Sequence, residues 1–196
     1  VKNLTIVQPN SGTSGGGTAN NHAPIAFTGV YNGQAVGNWL NNVALGVKFE
    51  YGNISMSDRQ SKFGLCAFNM LDGVEKMGIE NIGAGYTRVL GNGIDGSKGT
   101  GARGESHALR LTGYSVGTPA PGAFDAHCIG VVAAGNSFKA MTTGVSAQNT
   151  AAYWNIVAQY FEDVGQVIQT VEPSAPDAVI QHGKLSATFK DVNRLA

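Results

Sequence analysis

The chain has 196 residues, of which 28 are glycine and 42% are hydrophobic; only 13% are charged, and thirteen basic residues balance thirteen acidic ones. That length suits one sizeable domain or a segment of a larger elongated one. Glycine at about twice its usual ~7% and charge at about half its usual ~25% would suit a disordered chain only with low hydrophobicity and high net charge, so the glycines read as turns between many short ordered segments. Basic residues that are few and scattered give no electrostatic footprint for nucleic acid, and no run of about 20 apolar residues offers a membrane span.

The first residue is Val1 rather than Met, the mark expected of a processed chain or a piece of a longer one. Val1–Gln8 is β-prone, with Leu4 and Ile6 on one face. It runs into a Ser/Gly/Thr/Asn loop over Pro9–Asn21. Ile25–Tyr31 and Val43–Tyr51 read as strands; in the second, Val43, Leu45, Val47 and Phe49 alternate with smaller or polar residues, and Gly52-Asn53 turns the chain. The apolar run Phe63–Met70 closes at Leu71-Asp72-Gly73, where Asp-Gly is a favoured turn pair. Val74–Ile82 and Tyr86–Leu90 follow, with Gly83–Gly85 between them. Gly91–Gly104 reads as almost pure turn chemistry. Strands resume at His107–Tyr114, are broken by Pro119–Gly122, and continue at Cys128–Ala133, Ser137–Thr142, Ala178–Gln181 and Leu185–Val192. No composition shift divides residues 1–196, which read as one β-rich domain, and no strict repeat is visible.

Ala151–Val171 admits two readings. Tyr153, Val157, Tyr160, Phe161, Val164, Ile168 and Val171 recur at helical spacing, Asn149 or Thr150 could cap a helix, and Pro173 would end it. Gly165 and the β-branched and aromatic content favour two strands instead, Tyr153–Phe161 and Val167–Val171, joined by Glu162–Gln166. The strand-like surroundings favour the second. Cys66 and Cys128 sit among apolar neighbours without C-x-x-C or His-ligand spacing, which excludes a zinc site and favours two buried thiols over a disulfide.

Val1–Ile6 (VKNLTI), Val74–Gly85 (VEKMGIENIGAG) and Tyr153–Gly165 (YWNIVAQYFEDVG) carry a resemblance. Each resembles a coil of the right-handed parallel β-helices of phage tailspikes and pectate-lyase-like proteins, where a short strand is followed by Asn or Gly at a bend. Asn3, Asn53, Asn81, Asn92 and Asn136 suit such left-handed or tight-bend positions. A β-sandwich or a trimeric β-rich tip domain uses similar chemistry. The resemblance implies a homotrimeric, virion-associated or extracellular module that recognises host-surface polysaccharide, with no cofactor. A polysaccharide depolymerase, glycosidase or lyase, and a ligand-free capsid or decoration protein are the alternatives.

Cleavage of a polysaccharide needs two carboxylates roughly 5–10 Å apart. Glu105 with His107 and Asp125 with His127 are the suggestive pairs, since side chains at i and i+2 share one face of a strand; surface pairs flanking glycine-rich loops are the plainer interpretation. No G-x-S-x-G, H-E-x-x-H, Walker or Rossmann pattern is present; the G-x-G-x-x-G of Gly99–Gly104 lacks a strand-into-helix context. Sugar binding needs aromatic faces and amides. Trp39, bracketed by Asn38, Asn41 and Asn42, is the leading candidate, and Tyr86 and Tyr114 lie beside glycine-rich turns. The periodic neighbourhood of Trp154 points to burial.

Overall fold

Short β-prone runs separated by single glycines or asparagines leave little room for hairpins or crossover helices; the chain turns instead through shallow corners and returns beside itself. The computed structural model describes residues 1–7, 23–51, 60–97, 106–113, 128–148, 151–171 and 184–190. Among them the strands are β1 (Thr5–Val7), β2 (Ile25–Thr28), β3 (Gln34–Val36), β4 (Trp39–Asn41), β5 (Leu45–Glu50), β6 (Leu65–Ala67), β7 (Met70–Asp72), β8 (Met77–Ile82), β9 (Arg88–Leu90), β10 (Gly93–Asp95), β11 (His107–Thr112), β12 (Cys128–Ile129), β13 (Val132–Ala134), β14 (Ser137–Lys139), β15 (Thr143–Gln148), β16 (Ala151–Ala152), β17 (Asn155–Glu162), β18 (Gln166–Val171) and β19 (Lys184–Lys190). No helix occurs among the described residues.

Every pairing between these strands is parallel, and each strand pairs with its counterparts one coil away. This is the arrangement of a parallel β-helix. Three faces result. The first stacks β3, β6, β9, β13 and the start of β17; the second stacks β1, β4, β7, β10, β14 and the end of β17; the third stacks β2, β5, β8, β11, β15 and β18. Because β17 runs unbroken round a corner, the first two faces join into one eleven-stranded sheet, with β19 alongside β17.

The core lies inside the coils. The middle residues of the first-face strands (Ala35, Cys66, Val89, Ala133, Ile156) and of the second-face strands (Leu40, Leu71, Ile94, Phe138, Phe161) are all buried. Val47, Ile79, Leu109 and Val145 fill it from the third face. The corner between first and second faces carries a polar spine. The backbone N–H and the side-chain amide of Asn38 both donate to Asn69 Oδ1 (3.0 and 2.8 Å). Asn69 does the same to Asn92 (3.0 and 2.9 Å), Asn92 to Asn136 (2.9 Å each), and Asn136 to Gln159 Oε1 (3.2 and 2.8 Å). The second amide hydrogen of Asn69, Asn92, Asn136 and Gln159 goes to the carbonyl of Ala35, Cys66, Val89 and Ala133 respectively. All five side chains are buried, and each is satisfied, which is what a buried amide requires.

The spine exposes a repeat that plain inspection of the sequence misses. Gly37-Asn-Trp-Leu-Asn41, Phe68-Asn-Met-Leu-Asp72, Gly91-Asn-Gly-Ile-Asp95, Gly135-Asn-Ser-Phe-Lys139 and Ala158-Gln-Tyr-Phe-Glu162 are one motif. Its first residue has positive φ, its second joins the spine and its fourth is buried. Successive copies lie 31, 23, 44 and 23 residues apart, so no fixed period reveals them.

Several sequence expectations change accordingly. Leu71 and Asp72 belong to a strand, and only Gly73 (φ +73°) turns. Gly93–Asp95, inside the segment read as turn chemistry, is a strand with Ile94 buried. Asn92 and Asn136 do not take the left-handed conformation; Gly91 and Gly135, one residue earlier, do, whereas Asn3 does take it (φ 53°). Over residues 151–171 the favoured two-strand reading holds: β17 and β18 occupy it without a helix, Ala158 (φ 52°) turns the corner within β17, and the register shifts between Ile156 and Gln159. Asn53 and the strand expected at Ala178–Gln181 lie outside the described residues.

Candidate binding groove

The corner leading into the first face stacks Asn32, Phe63, Tyr86, Gly130 and Tyr153, one per coil. All five have positive φ, between 50° and 70°. Left-handed backbone in a bulky residue costs about 1–3 kcal/mol and persists where surrounding bonds over-determine it. Here the N–H of Asn32 donates to Lys62 O (3.0 Å), that of Phe63 to Gly85 O (3.1 Å) and that of Tyr86 to Ile129 O (2.7 Å). The conformation throws the side chains outward: Phe63 is 53% exposed, Tyr86 47% and Tyr153 63%.

The rings of Phe63 and Tyr86 stack, with centroids 5.4 Å apart and planes at 15°. Tyr86 also lies against the next coil, where a Cβ on Gly130 would meet its Cδ1 at 2.6 Å. Glycine at 130 is therefore needed to admit the ring, since non-glycine residues hold the same φ in the other coils. Beside this wall, the outward positions Gln34, Leu65, Arg88 and Val132 follow one another in register across β3, β6, β9 and β13. Together they line a groove of about 550 Å³ with Asn32, Phe63 and Tyr86. It offers stacked rings, aliphatic surface, two amides and one guanidinium.

A second exposed apolar strip lies on the neighbouring face. Trp39 (49% exposed) and Met70 (53%) are register partners on β4 and β7, and Phe68 (69%) stands at the corner beside them. Asp72 and Asp95 are register partners on β7 and β10, away from the groove, and Asp95 Oδ1 accepts from the Ser97 N–H (2.7 Å).

Of the residues expected from sequence, Tyr86 lines the groove. Trp39 is exposed and Asn41 half-buried, both on the second face. Asn38 is 1% exposed and committed to the spine, so it faces no ligand. His107 is 2% exposed, in the row of Met77 and Thr143. Glu105, Asp125, His127 and Tyr114 lie outside the described residues. Trp154 is buried, as its neighbourhood suggested. Phe63, Arg88, Leu65 and Gln34 escaped the sequence reading. The only available signal was a large residue two positions before the first strand of a coil (Asn32, Phe63, Tyr86), visible only once the coils are aligned.

Cys66 and Cys128 are free and buried. Burial pushes both thiols up to about 12, although the Asn69 amide, sharing a hydrogen already bonded elsewhere, also reaches Cys66 Sγ (3.3 Å) and pulls weakly the other way. Neither is a nucleophile at neutral pH. Among the described residues, no group of three or more His, Cys, Asp or Glu side chains could hold a metal ion, and no helix is long and apolar enough to cross a membrane. In comparisons with known proteins, no family model, curated protein or solved structure matches the chain.

Proposed function

We propose that this chain is a host-recognition module of the tailspike or tail-fibre kind, which binds bacterial surface polysaccharide in the groove of the first face. The observation that carries the reading is the exposed Phe63–Tyr86 stack beside a groove with amides at Asn32 and Gln34. Sugar recognition combines aromatic surface with a few fixed hydrogen-bonding groups. The spine and the parallel pairing hold that surface rigid, so little ordering entropy opposes binding. The bacterial and virion setting rests on the tailspike-like coil segments, as does assembly into a homotrimer. An exposed aromatic groove favours ligand binding over a ligand-free shell role.

The test is affinity electrophoresis of the chain through capsule and O-antigen preparations. Retention is expected, and the double substitution Phe63→Ala/Tyr86→Ala should weaken it about tenfold or more. Both side chains are half exposed, so the coils should survive the change; the far-ultraviolet spectrum checks this. Retention by no preparation, or undiminished retention of the double variant, would sink the proposal. Release of reducing ends or unsaturated uronate in the same samples would replace binding alone with depolymerase activity.

A further inference from the structure

Building on the glycan-binding reading, we infer that the groove selects an anionic polysaccharide and that Arg88 receives its carboxylate or phosphate group. Arg88 stands in the middle of the groove, in register between Leu65 and Val132, and it is the only charged residue lining it. Asn32, Gln34, Phe63 and Tyr86, which complete the lining, carry no charge that could neutralise it. Three other cations are paired: Lys48 with Glu50, Arg110 with Glu80, and Lys139 with Glu162. Among the described residues, no carboxylate is paired with Arg88.

A guanidinium stays protonated at any physiological pH, so the groove holds a fixed positive charge in a chain whose formal net charge is zero. Its planar fork matches a two-oxygen anion, and bonds between two ions are about twice as strong as neutral ones. A neutral sugar covering Arg88 would strip water from the charge and return only weak acceptors. The Phe63–Tyr86 stack alongside supplies apolar contact for the ring that bears the anionic group.

Two matched polymer pairs test this by calorimetry on the whole chain: alginate against carboxyl-reduced alginate, and phosphorylated mannan against mannan. The charged member of at least one pair should bind about tenfold more tightly than its neutral counterpart. Arg88→Gln should abolish that preference, and Arg88→Lys should keep part of it, since charge persists without the fork. A response from the alginate pair alone identifies a carboxylate; from the mannan pair alone, a phosphate. Equal binding within both pairs, still dependent on Phe63 and Tyr86, overturns anionic selection but leaves glycan binding standing. A preference that survives Arg88→Gln overturns the role of Arg88. Failure to bind all four polymers, in a protein retained by a neutral surface polysaccharide, also overturns the selection; failure to bind those preparations as well overturns the glycan reading beneath it.

Discussion

Asn92 uses its whole side chain inside the core. Its Oδ1 accepts from the backbone and the amide of Asn69, and its Nδ2 donates to Cys66 O and Asn136 Oδ1. Alanine at this position would leave a backbone N–H, an amide and a carbonyl buried without partners in neighbouring coils. The expected loss is about 2–4 kcal/mol, because an orphaned buried group costs more than a made bond contributes. Urea denaturation measures it, with Asn155→Ala on the exposed first face as a control expected to stay within about 0.5 kcal/mol. An Asn92→Ala midpoint equal to the control's would contradict the spine's role. The sequence does show asparagine in excess, and bends are a sound local use for it. What it hides is that the partner of each asparagine is another asparagine one coil away. At Asn38 that hidden partnership turns a candidate ligand residue into a core residue.

At the scale of the strand, the third face carries an outward row of Lys48, Glu80, Arg110, Ser146 and Gln169. Arg110 reaches Glu80 Oε1 at 3.3 Å and Gln148 Oε1 at 2.9 Å. Burial raises the Glu80 carboxyl above its ordinary 4.5, and the charge of Arg110 lowers it again in part. The folded chain therefore holds this proton at pH values where the unfolded chain has released it. The contribution of Glu80 to stability is fully present below the unfolded value and is lost as pH rises through the raised folded value. In Glu80→Gln that decline should vanish, flattening the plot of urea midpoint against pH above the ordinary carboxyl value of 4.5 relative to the parent. Parallel plots would show that Glu80 does not titrate as described.

The strands themselves were unequally legible. β5 and β11 have six residues each, enough for alternation to show, and the sequence reading found both. β4, β7 and β10 have three each, too few for any period. Their buried Leu40, Leu71 and Ile94 look like stray apolar residues in loops. Corner packing adds a constraint that no single strand displays. Phe27 lies against Gly33 and Phe49 against Gly64, where an added Cβ would meet the rings at 2.7 and 2.6 Å. Three coils later the same two rows hold Ala147 and Trp154, the small and large residues exchanged.

Over the whole molecule, stability and function share one axis, since each coil buries its inward face only against its neighbours. The groove spans four coils, from Asn32 and Gln34 to Gly130 and Val132. At ~4.8 Å between neighbouring strands it extends for roughly 14 Å along the stack. A polysaccharide lying along it should gain affinity with each added sugar until it covers that length, and then no more. Calorimetry on a size-graded oligosaccharide series checks this. Affinity independent of length would mean that the chain crosses the groove rather than following it.

From the sequence alone came the β content, the absence of the familiar catalytic motifs, the buried thiols and many of the inward apolar residues. Those properties follow from local composition and short-range alternation, which a strand carries in its own residues. The register, the asparagine spine, the aromatic wall and the position of Arg88 came only with the tertiary structure. Each of them depends on residues brought together across steps of 22 to 44 positions. The steps differ in length, so nothing in the linear order aligns the partners until the coils are stacked.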